Sequence, residues 1–419
     1  MELKKYKLGE IATVEISGVD KKSKENEIPV KLCNFTDVYH NWAITKEMEE
    51  SFMNATANQK EIECFSIKKG QVAFTKDSET RDDIGIPTYI ADDFENVLLG
   101  YHTALITPDN TKLSGKYLNA FMNTAYIKKY FENNASGSGQ RYTLSTNTLN
   151  DIPIIAPDLQ TQIKIGDLFS KIDRKIALNR RINAKLETIA KRLYDYWFVQ
   201  FDFPDANGNP YKSSGGKMVW NDALKREIPE GWEVGNLYQI ADYVNGLACQ
   251  NYRPKANENF LPVIKIREMH DGITSDTERV SATIPEKYKI FDGDILFSWS
   301  ATLDVMIWSG GEGGLNQHIF KVIPKKYFTK EYVYRQLSTY VINFQQMAEA
   351  RKTTMGHITS DHINQSRIVL PPKDIIAAFN AKTLSIFNYQ LSIEKETARL
   401  TALRDKLLPL LMNGQVEVA

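Results

Sequence analysis

Two stretches of this chain exclude most folds. From Gln160 to Phe198 the one Gly or Pro is Gly166, and apolar residues recur at Ile165, Leu168, Ile172, Ile182, Leu186, Ile189 and Leu193. The steps are three and four, with Lys175 and Asn179 interrupting. That pattern is a heptad seam on a helix roughly 60 Å long, at about 1.5 Å per residue. Such a stripe must be covered by another helix. Adding 214 to each position finds a cover: Ile172 maps to Ile386, Leu186 to Leu400, Ile189 to Leu403 and Leu193 to Leu407. Lys175 and Asn179 fall on Tyr389 and Ile393, and Ile182 on Glu396, so each seam is interrupted where the other is apolar. A parallel or antiparallel coiled coil between the two buries both stripes; the alternative is that each helix packs on its own domain.

The repeat continues upstream. At the same offset "LSTNTLNDIPIIAP" (Leu144 to Pro157) aligns with "ITSDHINQSRIVLP" (Ile358 to Pro371). "HTALITP" (His102 to Pro108) resembles "HIFKVIP" (His318 to Pro324), and "IKKGQVAF" (Ile67 to Phe74) resembles "IFDGDILF" (Ile290 to Phe297). The short alternating runs read as strands. "GKYLNAFMNTAYIKKYFEN" and "TKEYVYRQLSTYVINFQQMA" each read as one amphipathic helix. The expected fold class is α+β, an internal duplication of a globular domain followed by a long helix. "FDFPDANGNPYKSSGGK", rich in Asp, Asn, Gly and Pro, is then the connection between copies.

Catalytic motifs are weak. "NPY" (Asn209 to Tyr211) lacks the second proline of an amino-methyltransferase motif and lies in a turn-rich stretch, where turn chemistry accounts for it. "GGKM" lacks the upstream Gly and the Ser/Thr of a phosphate loop. None of the six histidines forms HxH or HExxH; His102 and His318 hold equivalent strand-start positions, as a repeated structural hydrogen bond would require. Three cysteines without a CxxC pair argue for a reducing compartment and against a zinc cluster. With no apolar run near the roughly 20 residues of a membrane helix, the reading is cytoplasmic and soluble.

Binding carries more signal. Net charge is zero, with 52 basic and 52 acidic residues, which disfavours a dedicated nucleic-acid binder unless charge is segregated. It is: Gln160 to Phe198 holds nine Lys/Arg against four Asp/Glu. At equivalent places in the repeat lie two polar loops, "ASGSGQRYT" (Ala135 to Thr143) and "EARKTTMGHIT" (Glu349 to Thr359). Small residues let a backbone approach a polyanion, and Arg and Gln read base edges bidentately. "FTKDSE" (Phe74 to Glu79) and "FSWSAT" (Phe297 to Thr302) form a second equivalent pair of differing chemistry. Divergent loops on a repeated frame suit a protein reading two unlike half-sequences. The candidate DNA contacts are therefore Lys76, Ser138, Gln140, Arg141, Tyr142 and Thr143 in the first copy, and Ser298, Ser300, Arg351, Lys352, Thr353 and Thr354 in the second.

"RLYDYWFVQFDFPDANGNPYKSSGGKMVWNDALKREIPEGWEV" and "LRDKLLPLLMNGQV" resemble the central and C-terminal conserved segments of type I restriction–modification specificity subunits, a resemblance covering nearly the whole chain. It implies two target-recognition domains, each reading half of a bipartite double-stranded DNA site. They are separated by two conserved helices in an antiparallel coiled coil, as a pseudo-two-fold internal repeat. The corresponding division is 1–157 and 232–371 for the recognition domains, 158–200 and 372–419 for the spacer helices, and 201–231 for the link. The resemblance further implies a non-catalytic chain without a cofactor or metal of its own. Two methyltransferase subunits, which use S-adenosylmethionine on adenine N6, dock on the helices, and translocase–nuclease subunits complete the complex. A stand-alone DNA-modifying enzyme and a DNA-free scaffold are the competing readings.

Overall fold

The structure, a computed structural model, describes residues 2–137, 139–300, 302–350 and 358–418. The chain divides into two compact units, Met1–Leu178 with Arg399–Ala419, and Asn179–Ala398. Each unit thus takes one globular domain, the start of that copy's long helix and the end of the other copy's.

In the first unit a five-stranded sheet runs Ala12–Ile16, Thr103–Pro108, Val72–Thr75, Pro87–Ile90, Ala43–Ile44. Because side chains alternate across a sheet, Val72, Phe74, Ala104 and Ile106 enter one core while Ala73 and Leu105 enter another on the opposite face. A smaller sheet pairs Ile28–Cys33 antiparallel with Met53–Ala57 and parallel with Val97–Leu99. The second unit repeats this plan. Ala241–Asn245, Ile319–Pro324, Ile295–Ser298 and Asp304–Ile307 form its larger sheet. Ile295, Phe297, Phe320 and Val322 face one core, and Leu296 and Ile319 another. Phe260–Ile264 pairs antiparallel with Arg279–Ser281 and parallel with Gly313–Leu315. The expected α+β duplication is present.

Local chemistry corrects one helix. "GKYLNAFMNTAYIKKYFEN" is two helices, Gly115–Met122 and Ala125–Asn134, because Thr124 between them turns its hydroxyl to the Ile127 amide and caps the second. Its counterpart Lys330–Ala350 has no such break and is one helix.

The long helices span Leu159–Tyr194 (36 residues) and Lys373–Met412 (40 residues). In the second unit they run antiparallel: Asn179 donates to Glu396 (2.9 Å), Asn183 to Glu394, and Gln390 to Glu187 (3.1 Å). In the first unit Ile165, Leu168 and Phe169 share a core with Leu407, Leu408, Leu411 and Met412. Gly166 lets the first long helix pack closely on the helix Gly115–Met122, since a Cβ there would lie 2.7 Å from the Lys116 Cβ.

The seam differs from the expected one. Ile172 is buried, and Leu186, Leu193, Ile386, Leu400 and Leu407 are half-buried, but Ile189 and Leu403 are exposed. Asn179, expected to interrupt the seam, is buried within it. The contact line drifts to Ile176, Asn179, Asn183, Glu187 and Ala190, where amides and carboxylates pair across the helices. A polar residue at a seam position fixes register and orientation at some cost in stability.

Past Tyr194 the helix loosens into a π-helical turn, Asp195–Val199, carrying Trp197 and Phe198 into the second unit's core. Phe198 meets Tyr332 and Phe379 at ring centroid distances of 4.9 and 5.0 Å. The following connection is folded rather than loose: Phe203 stacks on Tyr211 and Trp232, and Met218–Asn221 pairs with Arg226–Pro229 as a hairpin. Among the described residues no helix is long and apolar enough to cross a membrane, and no group of three or more His, Cys, Asp or Glu is placed to hold a metal.

Candidate nucleic-acid interface

The first domain gathers its candidates around one carboxylate. Ser136–Gly137 pairs antiparallel with Tyr142–Thr143, and Tyr142–Thr143 pairs with Asp77–Ser78. This register lays Thr143 opposite Asp77 and brings Lys76 beside these strands. Lys76 Nζ donates to Asp77 Oδ1 (2.8 Å) and Thr143 Oγ1 (2.9 Å). His102 Nδ1 lies 2.5 Å from Asp77 Oδ2. Arg141 Nη2 lies 3.4 Å from the same oxygen and 2.8 Å from His102 Nε2, and it also contacts His102 Nδ1. Burial would push the Asp77 carboxyl up, but hydrogen bonds from Lys76, Thr143 and His102 and the Lys76 charge outweigh it and hold the carboxyl below its ordinary value.

Two recesses flank Arg141. One, about 540 Å³, is lined by Phe35, Tyr39, Asp83, His102 and Gln140; the other, about 360 Å³, by Lys76, Tyr101, Ser136 and Thr143. Arg81 lies over the Tyr142 ring at 5.0 Å, and Tyr101 is half exposed against His102. His102 itself has φ +71°, a left-handed conformation that a non-glycine residue adopts at a cost of about 1–2 kcal/mol. Strain of that kind concentrates at functional sites.

The second domain carries the same backbone with other side chains. Lys76 N donates to His102 O (2.9 Å) as Trp299 N does to His318 O (3.3 Å). Leu144 N donates to Lys76 O (3.1 Å) as Ile358 N does to Trp299 O (2.9 Å). Trp299 thus stands where Lys76 stands, and Ser300 where Asp77 does. Trp299 Nε1 donates to Asn245 Oδ1 (3.0 Å), and its ring lies 5.6 Å from that of His318.

The sequence candidates separate accordingly. Lys76, Gln140, Arg141, Tyr142 and Thr143 are brought together. Ser298 is fully buried, its hydroxyl closing a turn onto the Thr302 carbonyl (2.5 Å), and Ser300 is also buried, as its counterpart Asp77 is. Ser138, Arg351, Lys352, Thr353 and Thr354 lie outside the described residues. Sequence reasoning passed over Asp77, Asp83, Tyr39 and Trp299. The signal for Trp299 was available, since it aligns with Lys76 two residues beyond the paired Phe74 and Phe297.

A family model described as the type I restriction modification DNA specificity domain matches residues 1–188 and 229–401, once for each domain. The chain belongs to this family. The chain is 27% identical over 409 residues to the type I restriction enzyme HindI specificity subunit of Haemophilus influenzae, covering 84% of this chain and 87% of that one. The MjaIX specificity subunit of Methanocaldococcus jannaschii is 25% identical over 315 residues, covering 72% and 69%. The solved S subunit of a type I restriction-modification system from M. genitalium superposes with a TM-score of 0.60 at 12% identity, covering 98% and 96%. That last likeness establishes a shared specificity-subunit fold.

Proposed function

We infer that this chain is the DNA-specificity subunit of a type I restriction-modification system, each globular domain reading one half of a bipartite site. The observation that carries this is the double match of the family model onto two domains with one backbone plan and different side chains at the same places. Phosphate contacts from Lys and Arg supply most of such a protein's affinity, and a few base contacts of about 1–3 kcal/mol each supply discrimination.

In this reading the paired helices set the gap between half-sites. They also dock two methyltransferase subunits, and the apolar residues they leave in water, Leu178, Ile189, Leu384, Tyr389 and Leu403, suit that role. Methyl transfer from S-adenosylmethionine to adenine N6 belongs to those subunits and cleavage to translocase–nuclease subunits, so the chain itself is non-catalytic and works in the cytoplasm. Arg351, Lys352, Thr353 and Thr354 are the proposed second-domain contacts, and Ser138 joins those of the first.

The test extends both helices by one matched heptad, after Leu178 and after Ala398, and maps methylated adenines made by the complex. A heptad adds about 10.5 Å of helix, roughly three base pairs at about 3.4 Å each. The expected motif keeps both half-sites and widens the gap by that amount. Altered half-sites, or an unchanged gap, would contradict the reading.

A further inference from the structure

Resting on the reading above, we propose that Arg141 reads a guanine in one half-site, and that Asp77, acting with His102, is the positioning residue that aims it. Arg141 stands just before the Tyr142–Thr143 strand and lines both recesses, with its side chain 56% exposed. Lys76 differs: its amine is engaged by Asp77 and Thr143 and its side chain is only 16% exposed. Lys76 therefore supports the site, while Arg141 faces out of it.

The guanidinium is held from behind through a single nitrogen. Nη2 approaches Asp77 Oδ2 and both ring nitrogens of His102. A cation that only neutralises phosphate needs no such fixing, because any orientation serves. One that reads a base must present two donors in a set plane. Guanine offers two major-groove acceptors, O6 and N7; adenine offers one beside a donor, and arginine has no acceptor to meet that donor. The left-handed φ of His102 fits a ring held in place for this contact. The second domain has Ser300 at the position of Asp77 and so lacks this carboxylate.

The experiment uses the complex with its methyltransferase subunits and synthetic duplexes carrying the mapped site, with every position of both half-sites substituted in turn. Arg141→Lys keeps the charge and loses the fork; Asp77→Asn keeps the shape and loses the buttress charge. Each should cut discrimination at one G·C pair by roughly tenfold, leaving the other positions and the salt dependence of binding unchanged. Should Asp77→Asn fail to fold, Arg141→Lys gives the same reading. Equal losses at all positions, an affected A·T pair, unaltered discrimination in Arg141→Lys, or a salt slope reduced by about one would overturn the proposal. A wild-type complex without bipartite preference would instead sink the broader reading along with it.

Discussion

The two domains differ least where their backbones bond and most where their side chains face out. Ser17 N bonds Thr103 O at 3.0 Å and Gly246 N bonds Ile319 O at 3.1 Å, so the same strand exit is built from Ser in one domain and Gly in the other. At the mouths of these sheets the first domain has a carboxylate binding three cationic or hydrogen-bonding partners, and the second has an indole against an imidazole. A frame held by main-chain bonds and a period-two core does not depend on its outward residues. The outward residues can then diverge without loss of the fold, as reading two unlike half-sites demands.

The strongest challenge to this equivalence is aimed at the frame. Phe74 and Phe297 are fully buried at matching positions, so Phe74→Ala and Phe297→Ala should each cost about 3–5 kcal/mol, read by urea unfolding of the whole chain. A large loss for one and none for the other would mean that the domains are not built alike. A smaller effect, about 1–3 kcal/mol, probes the divergent surface. In gel shifts with the methyltransferase-bound complex, Arg141→Ala and Trp299→Ala should weaken different half-sites, and the comparison fails if one substitution disturbs both.

The smallest effect is in pH. Asp77 has a folded pKa below its ordinary value, so its contribution to stability is present above the unfolded value of about 3.9 and is lost as pH falls through the folded one. Wild type should exceed Asp77→Asn by about 1 kcal/mol at neutral pH, with the gap closing below about pH 4. Ser300→Ala, lacking a charge to titrate, should show no such closing. A pH-independent difference for Asp77→Asn would mean that the carboxylate is not paired as described.

The repeat, the strands and the long helices were legible in the sequence because each rests on periodicity. The seam was legible only in part. Counting apolar residues favoured Ile189 and Leu403, whereas the contact line passes through Asn179, Asn183 and Glu187, which hydrophobicity alone marks as surface. Arg141 and Lys76 were legible as polar residues in equivalent loops, but not their unequal roles. Asp77 escaped because its importance comes from the pairing of Thr143 opposite it, a register that local pattern does not encode. Ser298 misled for the converse reason: its hydroxyl is satisfied by a turn five residues long.

The central claim is that each domain reads its own half of a bipartite site. Selection of bound duplexes from a randomised DNA library by the methyltransferase-bound complex tests it most directly. The account predicts two base-specific blocks of unlike sequence separated by an indifferent gap of fixed length. One continuous block, or two identical blocks, would contradict it.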